Sequence, residues 1–262
     1  MRDHCGLGKR VELKMWLGVV TLFPEMFSSL KDKGIISRAV NNGLIEFEFY
    51  NPRDFAEDNY RRVDDYSYGG GPGMVMKFAT LEKAVIKART EAPAEAKVLL
   101  MSPQGSTLDQ KLIDRLSSEH CQSFILVCGR YEGVDERFIK KCVDVEVSIG
   151  NYVVSGGELP AMVFIDAMSR QLPGVLGNPD SSCSETYVEG LLDYPHYTRP
   201  ETISDMRVPE ELLSGDPLKV SEFRRRAALI KTYERRPELL SESCLGERDT
   251  QLLKEYFDTF VD

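Results

Sequence analysis

Two glycine turns and the helix after them make residues 145–175 the stretch of this chain best suited to hold a ligand. Gly150 and the glycines at 156–157 interrupt short apolar runs, and glycine lets main-chain N–H and C=O groups approach a ligand closely. Glu158 opens the helix, where the positive helix end favours a carboxylate. Arg170 lies near its last turn and is a candidate for chemistry, because a guanidinium stays protonated. The alternative is an arginine that only complements the helix C-terminus.

Three consecutive apolar strands end in turns of this kind. The turns are Ser-Pro-Gln-Gly at 102–105, Cys-Gly-Arg-Tyr-Glu-Gly at 128–133 and Ser-Ile-Gly-Asn-Tyr at 148–152. Ligands of parallel sheets bind outside the carboxyl ends of the strands. Since no turn carries the G-x-G-x-x-G fingerprint, the pattern predicts one pocket that is not a dinucleotide site.

Apolar strands alternate with helical patterns through most of the chain, which predicts an α/β fold with a largely parallel sheet covered on both faces. The predicted strands are 16–22, 45–50, 97–102, 124–128 and 145–149, and the predicted helices are 24–40, 79–90, 108–118 and 158 to about 173.

Composition excludes several classes of protein. The chain has 262 residues, 42% hydrophobic and 29% charged, and no run of eighteen apolar residues that could span a membrane. Six cysteines without C-x-x-C spacing and only three histidines predict a reduced, cytoplasmic protein without a metal site. The net charge of −9 argues against indiscriminate nucleic-acid binding but leaves room for a local basic face.

Residues 51–76 have no usable periodicity and contain a Gly-Gly-Gly-Pro-Gly run at 69–73. A phosphate-binding loop needs a lysine and Ser/Thr directly after the glycines, and Met74 and Val75 follow here instead. The segment is therefore a flexible surface loop, or a lid or subunit contact.

Beyond a polar, turn-rich stretch at 178–186, the chain is predicted to be helical. Six basic residues against two acidic ones, with Phe223 and Tyr233 interleaved, lie between Ser221 and Arg236. This pattern favours either a phosphate-contacting helix or an ordinary solvated helix face.

Taken together, these motifs resemble the bacterial tRNA (guanine-N1)-methyltransferases of the SPOUT class. The matching segments follow in family order: LFPEMF (22–27), NPRDF (51–55), YGGGPGM (68–74), SPQG (102–105), CGRYEGVDER (128–137), SIGNYVVSGGELPAM (148–162), PGVLG (173–177), GLLDYPHYTRP (190–200) and RRPELL (235–240).

The resemblance implies a deep trefoil knot in the N-terminal domain, a small helical C-terminal domain, and S-adenosylmethionine bound in the knot. The domains expected are a disordered or non-native extension at 1–14, a cofactor domain at 15–176, a linker at 177–184 and a tRNA-binding domain at 185–262. The implied cofactor contacts are Met101, Ser102, Pro103, Gln104, Gly105, Gly129, Glu132, Ile149, Gly150, Asn151, Tyr152, Val153, Val154, Gly156, Gly157 and Pro160.

The resemblance also implies methyl transfer to N1 of guanosine-37. Arg170 would stabilise charge on guanine O6, and a general base would take the N1 proton. At the base position the family carries aspartate and this chain carries Glu185. Asp180 and Asp193 are the alternative bases, whereas His196 is assigned no proton transfer.

The implied partners are tRNA and a second copy of the chain in a homodimer with shared active sites, and no membrane. Arg199, Phe223 and Arg224 are the expected RNA contacts. Mg²⁺ would assist, although the sequence shows no metal site. The alternatives are a SPOUT ribose 2′-O-methyltransferase, which needs no N1 base, and a non-catalytic RNA-binding module.

Overall fold

The computed structural model describes residues 15–118, 122–176, 186–187, 190–243 and 245–258. The chain folds into two compact units, with the division between Gly177 and Asn178. The extension at 1–14 and the linker at 177–184 predicted from sequence lie outside the described residues.

The first unit is an α/β structure around a five-stranded parallel sheet, which confirms the predicted fold class. Its strands are β1 Met15–Val20, β2 Ile45–Tyr50, β5 Lys97–Thr107, β6 Ser123–Cys128 and β7 Val145–Ser148. They lie in the order β2-β1-β6-β5-β7 across the sheet. The helices are α1 Ser28–Asp32, α2 Gly34–Asn41, α3 Phe78–Glu91, α4 Gln110–Ser118, α5 Glu136–Cys142 and α6 Glu158–Ser169.

The sheet is buried on both faces, as the continuous apolar strands predicted. Along β1, Met15, Leu17 and Val19 join one core cluster, whereas Trp16 and Val20 join the other. This alternation follows from the two-residue period of a strand. Residues of α2, α4 and α6 belong to the first cluster, and residues of α3 and α5 belong to the second.

The prediction that β5 stops at Ser102 is wrong. Met101 and Ser106 both pair with Val147 of β7, so residues 102–105 bulge out of the strand before it resumes to Thr107. A Cβ on Gly105 would lie 2.3 Å from the carbonyl carbon of Glu146. Only a residue without a side chain can lie this close to the neighbouring strand, which is why the bulge ends at glycine.

The single helix predicted over 24–40 is also wrong. A 3-10 turn at Pro24–Phe27 precedes α1, and α2 begins at Gly34 after a break at Lys33. Gly34 has φ +83°, a left-handed conformation that ends a regular helix and that glycine adopts without strain.

The predicted irregular segment contains more structure than its sequence showed. Pro52–Phe55 form a 3-10 turn, and the two-residue strands β3 (Asp64–Asp65) and β4 (Val75–Met76) pair antiparallel. The glycine run at 69–73 therefore connects the strands of a small hairpin.

The second unit is mostly helical and is built around α8, Pro217–Arg235. Its other helices are α7 Glu210–Leu213, α9 Pro237–Glu242 and α10 Glu247–Asp258, and its strands are β8 Thr202–Ile203 and β9 Met206–Arg207. The β8–β9 hairpin was not predicted. The core joins Ala228 and Leu229 of α8 to Leu252 and Leu253 of α10. No helix in the described parts of either unit has the length and apolar character to cross a membrane.

Candidate active site

A cavity of about 310 Å³ lies at the carboxyl ends of β5, β6 and β7. Its walls come from the bulge of β5, the turn after β6 and the segment between β7 and α6. The residues predicted to contact the cofactor that line it are Met101, Ser102, Pro103, Gln104, Gly129, Glu132, Ile149, Tyr152, Val153, Val154, Gly156, Gly157 and Pro160. The structure therefore brings the three predicted turns into one pocket.

Gly105, Gly150 and Asn151 are the predicted contacts that lie outside the cavity lining among the described residues. Gly105 packs on the β7 main chain instead. Gly150 has φ +146°, and the Ser148 hydroxyl donates to its carbonyl oxygen at 3.0 Å. Gly105 thus packs on Glu146 and Val147, and Gly150 lies against the Tyr152 ring. All of these neighbours line the cavity.

Gly157 shows why this wall needs glycine. Its N–H donates to the carbonyl oxygen of Gly129 at 2.8 Å, and a Cβ there would lie 2.6 Å from the Cα of Cys128. The chain before α6 is thereby held directly against the turn after β6. Any side chain at Gly157 would push the two walls of the cavity apart.

Arg130 is a residue of this site that the sequence reasoning did not single out. It lines the cavity, and its Nε donates to Oε2 of Glu158 at 2.8 Å. Glu158 was predicted as a favourable charge at the helix end, yet it is fully buried. The available signal was an arginine in a glycine turn together with an acidic residue opening the next helix.

Cys128 ends β6 directly beside the cavity and is buried. Burial, and next the nearby carboxylate of Glu158, raise the pKa of its thiol well above the usual value. A thiol held protonated is a poor nucleophile, so Cys128 is a packing residue.

The hairpin that carries the glycine run is attached to the cavity wall by main-chain hydrogen bonds. The Glu132 N–H donates to the Met74 carbonyl at 2.9 Å, and the Met76 N–H donates to the Gly133 carbonyl at 2.9 Å. The tip carries Tyr68, whose side chain is fully exposed. The base of the segment is thus held by the pocket while its tip extends into solvent.

Arg170 does not lie at the cavity of its own chain. It follows Ser169 at the C-terminal end of α6, whereas the cavity lies at the N-terminal end of that helix. With a rise of about 1.5 Å per residue, the twelve residues of α6 separate the two ends by about 18 Å. Glu185, the predicted base, and Asp180 lie outside the described residues.

In the second unit, an open groove of about 710 Å³ runs along the Tyr194–Glu201 segment and one side of α8. The Arg224 guanidinium lies over the Tyr194 ring at 4.9 Å, and the Tyr194 and His196 rings are 4.7 Å apart. Asp193 holds His196 through a contact of 2.7 Å. The result is a row of planar groups of the kind that contact nucleic-acid bases and phosphates.

The predicted RNA contacts fall into two groups in this unit. Arg199 and Arg224 line the groove. Phe223 is half-buried on α8 and is not a lining residue among those described.

Comparison with known proteins gives consistent results over most of the chain. Residues 15–242 match the family model described as tRNA (Guanine-1)-methyltransferase TrmD. A protein of Chromohalobacter salexigens is 51% identical over 248 residues, which cover 92% of each chain. A Pseudomonas aeruginosa protein is 51% identical over 94% of this chain and 97% of its own. A Klebsiella pneumoniae protein is 50% identical over 92% and 94%. Each relative is named tRNA (guanine-N(1)-)-methyltransferase.

Proposed function

Because this chain belongs to the tRNA (guanine-1)-methyltransferase family, we propose that it transfers a methyl group from S-adenosylmethionine to N1 of guanosine-37 in tRNA. The observation that carries the proposal is the single cavity lined by three glycine-containing turns. The threading of these turns in a trefoil knot stays a prediction.

The cavity fits a small cationic cofactor in size and charge. Its volume of about 310 Å³ lies at the lower end of the range of about 300–1,000 Å³ for small-molecule sites. Glu132, Glu136 and Glu146 line it, and its arginine is already paired with buried Glu158. The lining thus keeps an excess of negative charge. S-adenosylmethionine, when bound, supplies an electrophilic methyl group on a positively charged sulfur.

The protein must then prepare the guanine. N1 carries a proton at neutral pH, and Glu185 is the proposed base that accepts it. As the proton leaves, negative charge develops on O6, and Arg170 is the proposed donor that stabilises it. Arg199, Phe223 and Arg224 are proposed to hold the tRNA. Mg²⁺ is assigned no site, and within the described chain no three His, Cys, Asp or Glu side chains are grouped to bind a metal ion.

The exposed face of α6 supports a homodimer with shared active sites. Leu159 and Val163 are 47% and 48% exposed. Spacings of four and eleven residues place them on one helix face with Arg170. A second copy packed on this face would cover the two apolar side chains. In each subunit, Arg170 does not line the cavity of the same chain. The second copy would bring its own Arg170 to that cavity.

The substitution Leu159→Glu, combined with Val163→Glu, is expected to produce a monomer that binds S-adenosylmethionine but has lost methylation. Placing two carboxylates in an apolar interface costs several kcal/mol, on the order of the burial cost of an unpaired charge. Light scattering after size-exclusion chromatography measures the mass, and calorimetry measures cofactor binding.

The matched control is Ile86→Glu on α3. Ile86 is 54% exposed, and α3 packs on the other sheet face, so this variant is expected to stay dimeric and active. A dimer that persists in the double α6 variant would place the interface elsewhere.

Methylation of tRNA transcripts that differ only at position 37, guanosine or adenosine, tests the proposed function. We expect methyl transfer only to the guanosine transcript, with the modified atom mapped to N1. Methyl on a ribose would support the 2′-O-methyltransferase instead. A chain that binds tRNA but no S-adenosylmethionine would be a non-catalytic RNA-binding module.

A further inference from the structure

A buried ion pair, Arg130–Glu158, lies beside the cavity. The Glu158 side chain has no exposed surface and that of Arg130 is 18% exposed, and their N–O distance is 2.8 Å. Glu158 is in the first turn of α6, where the helix dipole adds to the stabilisation of its charge. Separating the pair would leave the Glu158 carboxylate buried without an opposite charge, which is strongly destabilising.

Arg130 connects the two sides of the cavity. Its main chain belongs to the turn after β6, and its Nη1 donates to the carbonyl oxygen of Ser155 at 3.2 Å. Both Arg130 and Ser155 line the cavity. The guanidinium also lies 4.5 Å from the centroid of the Phe23 ring. One planar side chain thus holds two cavity walls and the segment after β1 together.

Glu158 fixes the other end of this connection. The Thr21 hydroxyl donates to Oε1 of Glu158 at 2.9 Å and accepts from the Phe23 N–H at 3.0 Å. Thr21 directly follows β1 and is buried. The carboxylate is therefore fixed by the sheet on one oxygen and by Arg130 on the other.

Gly156 shows how closely the chain is adapted to this arginine. A Cβ at this position would lie 2.3 Å from Nε and 2.6 Å from Cζ of Arg130. The absence of a side chain at Gly156 lets the guanidinium pass behind the cavity wall to Glu158.

We propose that Arg130 and Glu158 are a positioning pair for the methyl donor, one that sets the separation between the turn 129–133 and the segment 153–157. The inference rests on the proposed function, since it concerns the same cavity. Neither residue is assigned a role in the chemistry. Replacing a buried ion pair by apolar groups is often neutral or stabilising, so stability alone gives little reason for such a pair at this place.

The test is calorimetric binding of S-adenosylmethionine to the full chain and to Arg130→Lys, Arg130→Gln and Glu158→Gln. Lysine keeps the charge beside Glu158, but its donors all lie on one nitrogen, whereas arginine reaches Glu158 through Nε and Ser155 through Nη1. We expect Arg130→Lys to keep its melting temperature and to weaken binding about 10- to 100-fold, by analogy with the outer partners that orient metal ligands, whose loss has effects of this size. In steady-state methylation, the KM for S-adenosylmethionine is expected to rise by a larger factor than kcat falls, which is the split that a role in positioning the donor predicts.

The matched control is Asp249→Asn, which breaks the Arg225–Asp249 pair of the second unit, with N–O distances of 2.8 Å. It is expected to lower stability without changing the affinity for the methyl donor. Hydrogen exchange at residues 153–157 gives a second measurement, with faster exchange expected in Arg130→Lys. If Arg130→Gln or Glu158→Gln fails to fold, hydrogen exchange and methyl-donor binding in Arg130→Lys still test the proposal.

Unchanged affinity and unchanged exchange in Arg130→Lys would overturn the positioning proposal while leaving the proposed function intact. An unaltered chain that binds no S-adenosylmethionine would overturn both. If Asp249→Asn lost as much affinity for S-adenosylmethionine as Arg130→Lys, the positioning proposal would also be overturned. The loss of affinity would then not depend on the position of the ion pair.

Discussion

Glu185→Gln is expected to lower the rate of methylation by about 10²- to 10⁴-fold, the usual contribution of a general base. Glutamine keeps the size of the side chain but cannot accept the N1 proton. Binding of S-adenosylmethionine should not change, since no role in the cofactor pocket is proposed for this residue. Single-turnover methylation of a guanosine-37 transcript measures the rate, and calorimetry measures the binding.

Two variants serve as controls for Glu185. Glu185→Asp keeps a carboxylate at the proposed base position on a side chain one methylene shorter, and it is expected to retain most of the activity. Asp193→Asn tests the alternative base in the described chain. Its side chain already contacts His196 at 2.7 Å, so we expect a much smaller effect on the chemical step. Near-normal turnover in Glu185→Gln, with loss in Asp193→Asn or Asp180→Asn, would transfer the role to that aspartate.

Arg170→Gln is expected to lower kcat by about 10²- to 10³-fold, the size of the loss when one donor to a developing oxyanion is removed. Glutamine can still donate a hydrogen bond but carries no charge, and lysine keeps the charge without the planar fork of donors. Arg170→Lys should therefore show an intermediate kcat. The affinity for S-adenosylmethionine should be unchanged, because Pro160, which lines the cavity, lies ten residues before Arg170, about 15 Å along the helix.

Mixed dimers test which subunit supplies Arg170. Arg170→Gln is mixed with Gly129→Leu, a variant designed to block the cavity. A Cβ at Gly129 would have its nearest neighbour at 3.5 Å, an ordinary contact, so the fold should tolerate a side chain that occupies the cavity. Each variant alone is expected to be inactive.

If Arg170 acts on the partner's cavity, a mixed dimer of the two variants has one complete active site. Mixing should then restore part of the activity. If Arg170 instead acts on the cavity of its own chain, one site of the mixed dimer lacks the arginine and the other has a blocked cavity, so neither site is complete. No recovery, with exchange of subunits demonstrated, would place Arg170 in the site of its own chain.

Local patterns were sufficient for much of the fold. Strand β2 has the predicted bounds, 45–50, because its alternating apolar and acidic residues have the two-residue period of a strand. Helix α3 differs from its prediction by one residue at each end. The bulge at 102–105 was missed, because it depends on the pairing of Met101 and Ser106 with the same residue of β7. No periodicity along one strand can show which residue of a neighbour it will face.

The sequence by itself determined the α/β class, the family and the three turns of the pocket, because glycines, apolar runs and motif order are local properties of the chain. Only the tertiary structure decided that Gly105 and Gly150 pack against residues that line the pocket, and that Glu158 is buried against Arg130. It also placed Arg170 and the cavity at opposite ends of α6. These facts depend on distances between residues far apart in the chain, which are set by how the helices pack on the sheet.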